Sequence, residues 1–293
     1  MHTALNMTVS ILKLRIGSFV ALAALVGILT GGHRLGWVEA VIFTLAVLGA
    51  SGAAGAFNQY FERESDRLMA RTANRPFASG QLRAGPIWPL TFSALLAASL
   101  LMGWSVGGTL ATVLVFLGAL TYGVIYTLLL KRRTVWNVVI GGAAGSFALL
   151  AGAAAAADPF GPALGPVPLL LAAVLFLWTP PHFWALAYVR GEDYRRAGIP
   201  MLPVVSDSKT WGPAIFGHVL ALVTLSFGPL LYGMGAIYGT FAAVAGAWFL
   251  STSWRLMRTH TREAAKATFG ASLGHFALLS LGVMLEKAAV WVL

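Results

Sequence analysis

Apolar runs of roughly twenty residues dominate this chain, and short polar segments separate them. About 20 apolar residues are the length that an α-helix needs to cross the hydrocarbon core of a bilayer. The pattern predicts nine such helices, near 14–32, 38–60, 86–104, 107–129, 135–157, 166–188, 211–233, 236–254 and 269–291. Residues 1–293 are therefore predicted to form a single all-α polytopic membrane domain.

The composition agrees with this prediction. The chain has 293 residues, of which 58% are hydrophobic and only 10% are charged, whereas about a quarter of the residues of a soluble domain are charged. It contains no cysteine, which excludes disulfides, thiolate metal sites and cysteine nucleophiles. The N-terminal segment has neither a cleavable signal pattern nor the character of an organelle transit peptide. We expect a multi-pass protein of a prokaryotic plasma membrane.

The distribution of basic residues predicts the orientation. With nine spans and a cytoplasmic N-terminus, 18 of the 20 Lys and Arg residues fall on the cytoplasmic side, and only Arg34 and Lys287 lie opposite. The positive-inside rule predicts this asymmetry. It also accounts for the net charge of +10, so we expect the lipid bilayer as a partner and no nucleic acid.

A polar cluster follows the second predicted helix, in FNQYFERESDRLMARTANRPFASG at 57–80. Asn58, Glu62 and Asp66 recur at every fourth position, which places them along one stripe of a helix. Their amide and carboxylate oxygens are the ligands that Mg²⁺ prefers. The alternative is that the helix ends near Tyr60 and that the rest is a solvated charged loop. The regular spacing favours the metal site.

Three arginines continue the same period at Arg67, Arg71 and Arg75. Their planar guanidinium groups suit phosphate oxygens. Carboxylates for a metal beside guanidinium groups for phosphate, at the edge of a membrane, predict chemistry on a lipid diphosphate.

A second cluster occupies WTPPHFWALAYVRGEDYRRAGIPMLPVV at 178–205. His182 lies at membrane depth between Trp178 and Trp184, and an ionisable residue there is a functional candidate. The equal alternative is a hydrogen bond to a neighbouring helix. Glu192 and Asp193 are predicted at the cytoplasmic end, and with the residues around them, which include Arg190, they are candidates for a second metal or diphosphate clamp that faces the first.

A third segment, YGVIYTLLLKRRTVWN at 122–137, places Tyr126 and Tyr122 on one helix face and ends in Lys131 and Arg132. By itself the basic end is typical of an ordinary topology anchor. Three histidines without a partner at ligand spacing receive no predicted role; they are His218, His260 and His275.

The three segments together resemble the UbiA superfamily of intramembrane prenyltransferases, and within it the branch that acts on haem. The resemblance covers nearly the whole chain and rests on the spaced Asn, acid and Asp, on RTANRP at 71–76, on PPHFWALA, on DYRRAGIPMLPVV and on LKLRI at 12–16. Position 62 departs from it, because this chain has Glu62 where Asp is usual. The second Asp-x-x-x-Asp motif of the quinone-precursor branch is also absent.

The resemblance implies a UbiA-type bundle that converts haem B and farnesyl diphosphate into haem O and pyrophosphate with addition of water, and it suggests a haem A synthase as a partner. It implies that Mg²⁺ is held by Asn58, Glu62, Asp66 and Asp193. It implies diphosphate binding by Arg67, Arg71, Arg75, Lys131, Arg132 and Arg190. It implies a pocket for haem and prenyl groups formed by His182, Tyr126, Trp178 and Trp184.

Two other functions compete with this one. Another enzyme of the same superfamily would prenylate an aromatic acid or a glycerol lipid. A transporter or lipid-binding scaffold would also suit nine helices with interrupted segments and a buried histidine. The polar residues gather on the cytoplasmic side, which favours an enzyme whose active site opens towards the cytoplasm over a carrier with polar groups on both sides.

Overall fold

A computed structural model of the chain describes residues 2–158 and 161–292, and this part contains helices and turns but no strand. The first half comprises α1 (His2–Ile11), α2 (Leu14–Gly31), α3 (Trp37–Phe61), α4 (Arg63–Asp66), α5 (Ile87–Leu120), a π-helix (Thr121–Leu130), α6 (Asn137–Gly141) and α7 (Ala143–Ala156). The second half comprises α8 (Pro166–Val189), α9 (Gly191–Arg196), α10 (Leu202–Val205), α11 (Ser208–Ser226), a 3₁₀-helix (Gly228–Tyr232), α12 (Ala236–Thr259) and α13 (Arg262–Val292).

Seven helical segments of the described chain are long and apolar enough to cross a membrane, which confirms the all-α polytopic class. They are Leu14–Gly31, Trp37–Phe61, Ile87–Leu130, Asn137–Ala156, Pro166–Val189, Ser208–Tyr232 and Arg262–Ala289. The predicted spans at 86–104 and 107–129 both lie within the 44-residue segment Ile87–Leu130. The span predicted at 236–254 lies in α12, which is not among the seven. The count of nine and the cytoplasmic N-terminus stay predictions.

The 44-residue segment changes direction at Gly108, where φ is 76° and ψ is −174°. Glycine adopts such a positive φ readily because it has no Cβ. A Cβ built on Gly103 would lie 4.0 Å from Oγ1 of Thr112, whereas nine residues of one straight helix span about 13.5 Å. The segment therefore consists of two helical arms that pack side by side.

Helices α2 and α7 pack with their backbones in contact. A Cβ on Gly152 would lie only 1.9 Å from the carbonyl oxygen of Ala24, and one on Gly27 would lie 1.9 Å from the carbonyl oxygen of Leu149. Small residues allow this approach between membrane helices, where close packing replaces the hydrophobic driving force found in water. Only glycine fits at these two positions.

We predict that Gly152→Ala destabilises the protein by about 1–3 kcal/mol, since the added methyl group must push apart two backbones. The control is Gly217→Ala in α11, where a new Cβ would meet nothing within 4 Å. Thermal unfolding in detergent, followed by tryptophan fluorescence, measures both variants. Equal unfolding temperatures for the two would contradict the prediction.

Candidate functional site

The first predicted cluster lies at the C-terminal end of α3. The helix is distorted at Glu62, but the backbone N–H of Glu62 donates to the carbonyl of Asn58 at 3.0 Å, and that of Asp66 donates to the carbonyl of Glu62 at 2.8 Å. The predicted four-residue stripe is therefore maintained through α4. The side chains of Asn58, Glu62 and Asp66 are 2%, 1% and 1% exposed. A solvated loop would not bury them in this way.

The π-helix brings two side chains against this stripe. Lys131 donates to Oε2 of Glu62 at 2.5 Å, and Nδ2 of Asn58 donates to Oγ1 of Thr127 at 2.9 Å and to Glu62 at 3.0 Å. The N–H of Lys131 donates to the carbonyl of Tyr126, five residues back, which is the hydrogen bond of a π-helical turn. This wider turn determines the positions of the side chains at the end of the helix. Such turns are frequent at functional sites.

The buried pair of Glu62 and Lys131 has shifted pKa values. Burial acts to raise the pKa of Glu62, but the ammonium of Lys131 and the charge of Lys13 bring that pKa below its usual value. Burial lowers the pKa of Lys131, and the Glu62 carboxylate opposes the shift. Each charge thus sustains the other where little water is available.

Lys13 belongs to the same network, which sequence reasoning did not foresee. It lies between α1 and α2 with a left-handed φ of 49°, and its ammonium donates to Oδ1 of Asn58 and to the Tyr122 hydroxyl. Gln59 donates to the carbonyl of Ser10 and so ties α1 to α3. Burial, followed by the charge of Arg75, lowers the pKa of Lys13 well below its usual value.

Asp66 lies one turn beyond Glu62 and pairs with another cation. Its Oδ2 accepts from Nη1 of Arg75 at 2.7 Å. Its Oδ1 is buried and has no hydrogen-bond partner among the described residues. Nearby, Arg132 donates to the hydroxyl of Ser65 at 2.5 Å. The structure thus brings predicted carboxylates and predicted cations into one cluster.

This cluster fits Mg²⁺ in one particular way. Within residues 2–158 and 161–292, no group of three His, Asp or Glu side chains converges as a ready metal cage. Mg²⁺ usually keeps several waters and bridges one or two carboxylates to substrate phosphates, so it needs no such cage. The unpaired Oδ1 of Asp66 is a buried anionic ligand of that kind.

Asp193 and the cluster on α3 are joined by the chain that follows α4. Oδ1 of Asp193, in α9, accepts from the backbone N–H of Ala70 at 3.2 Å. The two predicted clusters therefore meet, although they are more than a hundred residues apart in sequence. Tyr194 beside them is buried.

The remaining predicted arginines differ in their surroundings. Arg67 already has two partners: its Nη1 forms an ion pair with Oε2 of Glu64 at 2.8 Å, and its Nε donates to the carbonyl of Ala78 at 2.7 Å. Arg71 is exposed and makes no hydrogen bond or ion pair within the described part of the chain. Arg190 is exposed at the end of α8. The side chains of Arg71 and Arg190 have no hydrogen bond or ion pair among the described residues, so both can bind a ligand without losing a partner.

His182 lies inside the bundle in an aromatic setting. Its ring stacks on Trp178 with centroids 4.2 Å apart and meets the ring of Phe269 at 4.7 Å. Its Nδ1 is 2.7 Å from the hydroxyl of Ser272, which itself donates to the carbonyl of Phe269 at 2.6 Å. Because a hydroxyl has one proton, it must accept from Nδ1–H, and Nε2 keeps its lone pair.

Tyr126 and Trp184 border a different part of the interior. The ring of Tyr126 stacks on that of Tyr122 at 5.8 Å, as the predicted shared face requires, and the Lys131 ammonium lies 5.7 Å from its centroid. Trp184 is buried and its ring meets the edge of His218 at 5.2 Å. Trp184 therefore lies among packed side chains between α8 and α11.

Comparison with known proteins gives a consistent result. The model of the UbiA prenyltransferase family matches residues 19–281. Over 287 residues the chain is 49% identical to Protoheme IX farnesyltransferase 2 of Paramagnetospirillum magneticum, and the match covers 98% of each chain.

Two solved structures show the same fold. The apo structure of a UbiA homolog from Aeropyrum pernix K1 has a TM-score of 0.73 and 24% identity, and the match covers 93% of this chain and 98% of that one. A UbiA homolog from Archaeoglobus fulgidus, bound to GPP and Mg²⁺, has a TM-score of 0.66 and 14% identity, with 95% and 99% covered.

We predict that Lys131→Met destabilises the protein by about 3–5 kcal/mol, because it leaves the Glu62 carboxylate buried without its main cation. Adding Glu62→Gln to that variant should recover much of the loss, since the orphaned charge is then removed. Thermal unfolding of the two single variants and the double variant measures this coupling. Strictly additive losses would show that the pair is energetically unimportant.

Proposed function

Because the chain belongs to the UbiA prenyltransferase family, we propose that it transfers the farnesyl group of farnesyl diphosphate to a vinyl group of haem B. Water addition completes the conversion to haem O, and pyrophosphate leaves. The near-full-length similarity to a protein named protoheme IX farnesyltransferase carries this proposal. We place the protein in a prokaryotic plasma membrane with its site towards the cytoplasm, where its product would supply a haem A synthase.

The diphosphate binds among the cations of the α3 cluster. Lys131, Arg132 and Arg75 already lie within 2.5–2.7 Å of oxygens in this cluster. Exposed Arg71 adds a guanidinium group with no competing partner. Arg67 and Arg190 complete the cationic rim. Phosphate oxygens attract all of these groups by charge and by directed hydrogen bonds.

Asp66, Asn58, Glu62 and Asp193 are the residues that would hold Mg²⁺, and the structure of the Archaeoglobus fulgidus homolog bound to GPP and Mg²⁺ supports a role for this ion. When bound there, Mg²⁺ would supply positive charge that neutralises the leaving diphosphate. Asp66 supplies an unpaired oxygen. Asn58 and Glu62 are engaged with Lys13 and Lys131, so they share their oxygens with those ammonium groups.

Departure of pyrophosphate leaves an allylic farnesyl cation, which the haem vinyl group attacks. Aromatic faces attract such a cation, and we assign this role to Tyr126 and Trp178, with Trp184 in the surrounding wall. Burial in the bundle keeps water away from the cation until the new carbon–carbon bond has formed. His182 faces the haem, because its Nε2 lone pair is suited to bind iron.

Purified protein incubated with Mg²⁺, haem B and farnesyl diphosphate tests the proposal directly. We expect a product with the mass of haem O. The same incubation with 4-hydroxybenzoate in place of haem B tests the alternative acceptor class. A prenylated benzoate together with unmodified haem would overturn our assignment of the acceptor.

We predict that Asp66→Asn lowers turnover by at least about 100-fold, comparable to the loss of one electrostatic group that stabilises a transition state. The matched control is Glu64→Gln, which removes an exposed carboxylate that pairs only with neighbouring arginines. Haem O formation and thermal unfolding are measured for both. Near-normal turnover in a folded Asp66→Asn variant would defeat the metal site.

We predict that Ser272→Ala weakens haem B binding by about 10–100-fold, because the hydrogen bond that orients a ligating histidine is lost. His182→Ala should weaken it further and change the haem absorption spectrum. Titration of the detergent-solubilised protein with haem B, followed by absorbance, measures both effects. An unchanged affinity and spectrum in His182→Ala would remove His182 from the haem site.

A further inference from the structure

An unpaired lysine lies near the end of α13. Lys287 is one of two basic residues that the predicted topology places on the side with few positive charges. Its ammonium forms no hydrogen bond or ion pair among the described residues. The adjacent acid, Glu286, accepts from the backbone N–H of Tyr238 at 3.0 Å, and adjacent positions on a helix do not face each other. The proposed reaction gives this lysine no role.

Lys287 lines a cavity between four parts of the fold. The volume of the cavity is about 310 Å³, and ligand sites usually have about 300–1,000 Å³. Helix α2 contributes Thr30, the start of α8 contributes residues 165–168, and the chain between the 3₁₀-helix and α12 contributes residues 232–234. The cavity is therefore large enough for a ligand group with several heavy atoms.

Two polar side chains in this wall can donate to a ligand. The Lys287 ammonium carries three N–H donors, and the Tyr232 hydroxyl has no partner among the described residues. Thr30 differs, since its hydroxyl donates to the carbonyl of Val26 at 2.9 Å. No Asp or Glu of the described chain lines the cavity. A positive charge with a second free donor and no acid favours an anionic ligand.

The cavity lies at the end of the bundle away from the α3 cluster. Thr30 is about 24 Å along α2 from Leu14, which follows Lys13 of that cluster. Helix α8 extends about 35 Å from Pro166, at the cavity, to Val189, beside α9. The cavity is therefore a separate site from the one proposed for the diphosphate.

Exposed aromatic rings indicate a membrane interface at this end of the bundle. Trp37 begins α3, Trp104 shortly precedes the turn at Gly108, and Tyr232 ends the 3₁₀-helix; all three rings are exposed. Trp and Tyr are enriched where the hydrocarbon core meets the lipid headgroups. Leu231, next to Tyr232, is also exposed and offers apolar surface. The cavity thus lies at the depth of the headgroups.

We propose that this cavity binds the headgroup phosphate of an anionic phospholipid. The phosphate oxygens accept from the Lys287 ammonium and the Tyr232 hydroxyl, and an acyl chain follows the apolar surface at Leu231. Basic pockets between membrane helices bind anionic headgroups in this way. The bound lipid contacts α2, α8, the 3₁₀-helix and α13 together. It therefore stabilises the end of the bundle that lacks the ion pairs of the α3 cluster.

The test measures lipid affinity through stability. The full chain in a non-ionic detergent is titrated with dihexanoyl phosphatidylglycerol, and the rise in unfolding temperature gives the dissociation constant. Lys287→Met should raise this constant at least about fivefold, the effect of one basic residue near an anionic lipid. Lys287→Arg keeps the charge and should bind like the wild type. Tyr232→Phe should raise the constant about two- to tenfold, since one hydrogen bond is lost.

The control is Lys209→Met in α11, which removes an exposed lysine outside the cavity and should keep the wild-type dissociation constant. An unchanged constant in a folded Lys287→Met variant overturns the proposal. If that variant does not fold, an unchanged constant in Tyr232→Phe, whose ring is exposed, does the same. Equally tight binding of dihexanoyl phosphatidylcholine, or of inorganic phosphate alone, would also overturn it, because the site would then not select an anionic lipid.

Discussion

The buried ion pair between Glu62 and Lys131 is the interaction on which the end of the bundle that carries the α3 cluster depends. Neither charge is tolerable there alone, because burial penalises both. Asn58 donates to the same carboxylate and accepts from Lys13. The network thereby ties α3 to the π-helix and to the junction of α1 and α2. Charge compensation thus acts together with apolar contacts, such as that between Ile11 and Ala56 in one core cluster, to set the relative positions of these segments.

The same constraint explains why the cluster is stable without substrate and yet suited to bind one. Each carboxylate is now matched to a cation, Glu62 to Lys131 and Asp66 to Arg75. In the proposed function, a diphosphate and its Mg²⁺ would bring charges of both signs, so they could take over these partners without leaving an uncompensated charge. Among the described residues, Oδ1 of Asp66 is a buried carboxylate oxygen without a hydrogen-bond partner. A cation that binds this oxygen therefore displaces no existing hydrogen bond.

The sequence was sufficient for the helical class and for the placement of Asn58, Glu62 and Asp66 on one stripe, because both depend on local periodicity. The four-residue spacing of Asn58, Glu62 and Asp66 survives a distorted turn, since backbone hydrogen bonds bridge it. Periodicity could not predict Lys13 in this cluster, because its position depends on a left-handed residue between two helices. Nor could it predict the contact of Asp193 with Ala70, which arises from tertiary packing alone.

His275 illustrates the opposite limit. In the sequence it is one of three histidines without a partner at ligand spacing, and nothing local distinguishes it from His218. Packing separates the two, because His218 satisfies its ring nitrogen within its own helix, whereas His275 has no acceptor or donor within reach among the described residues. The surroundings of the charged cluster at the end of α3 thus follow in part from sequence periodicity, whereas the surroundings of this lone polar ring follow from packing alone.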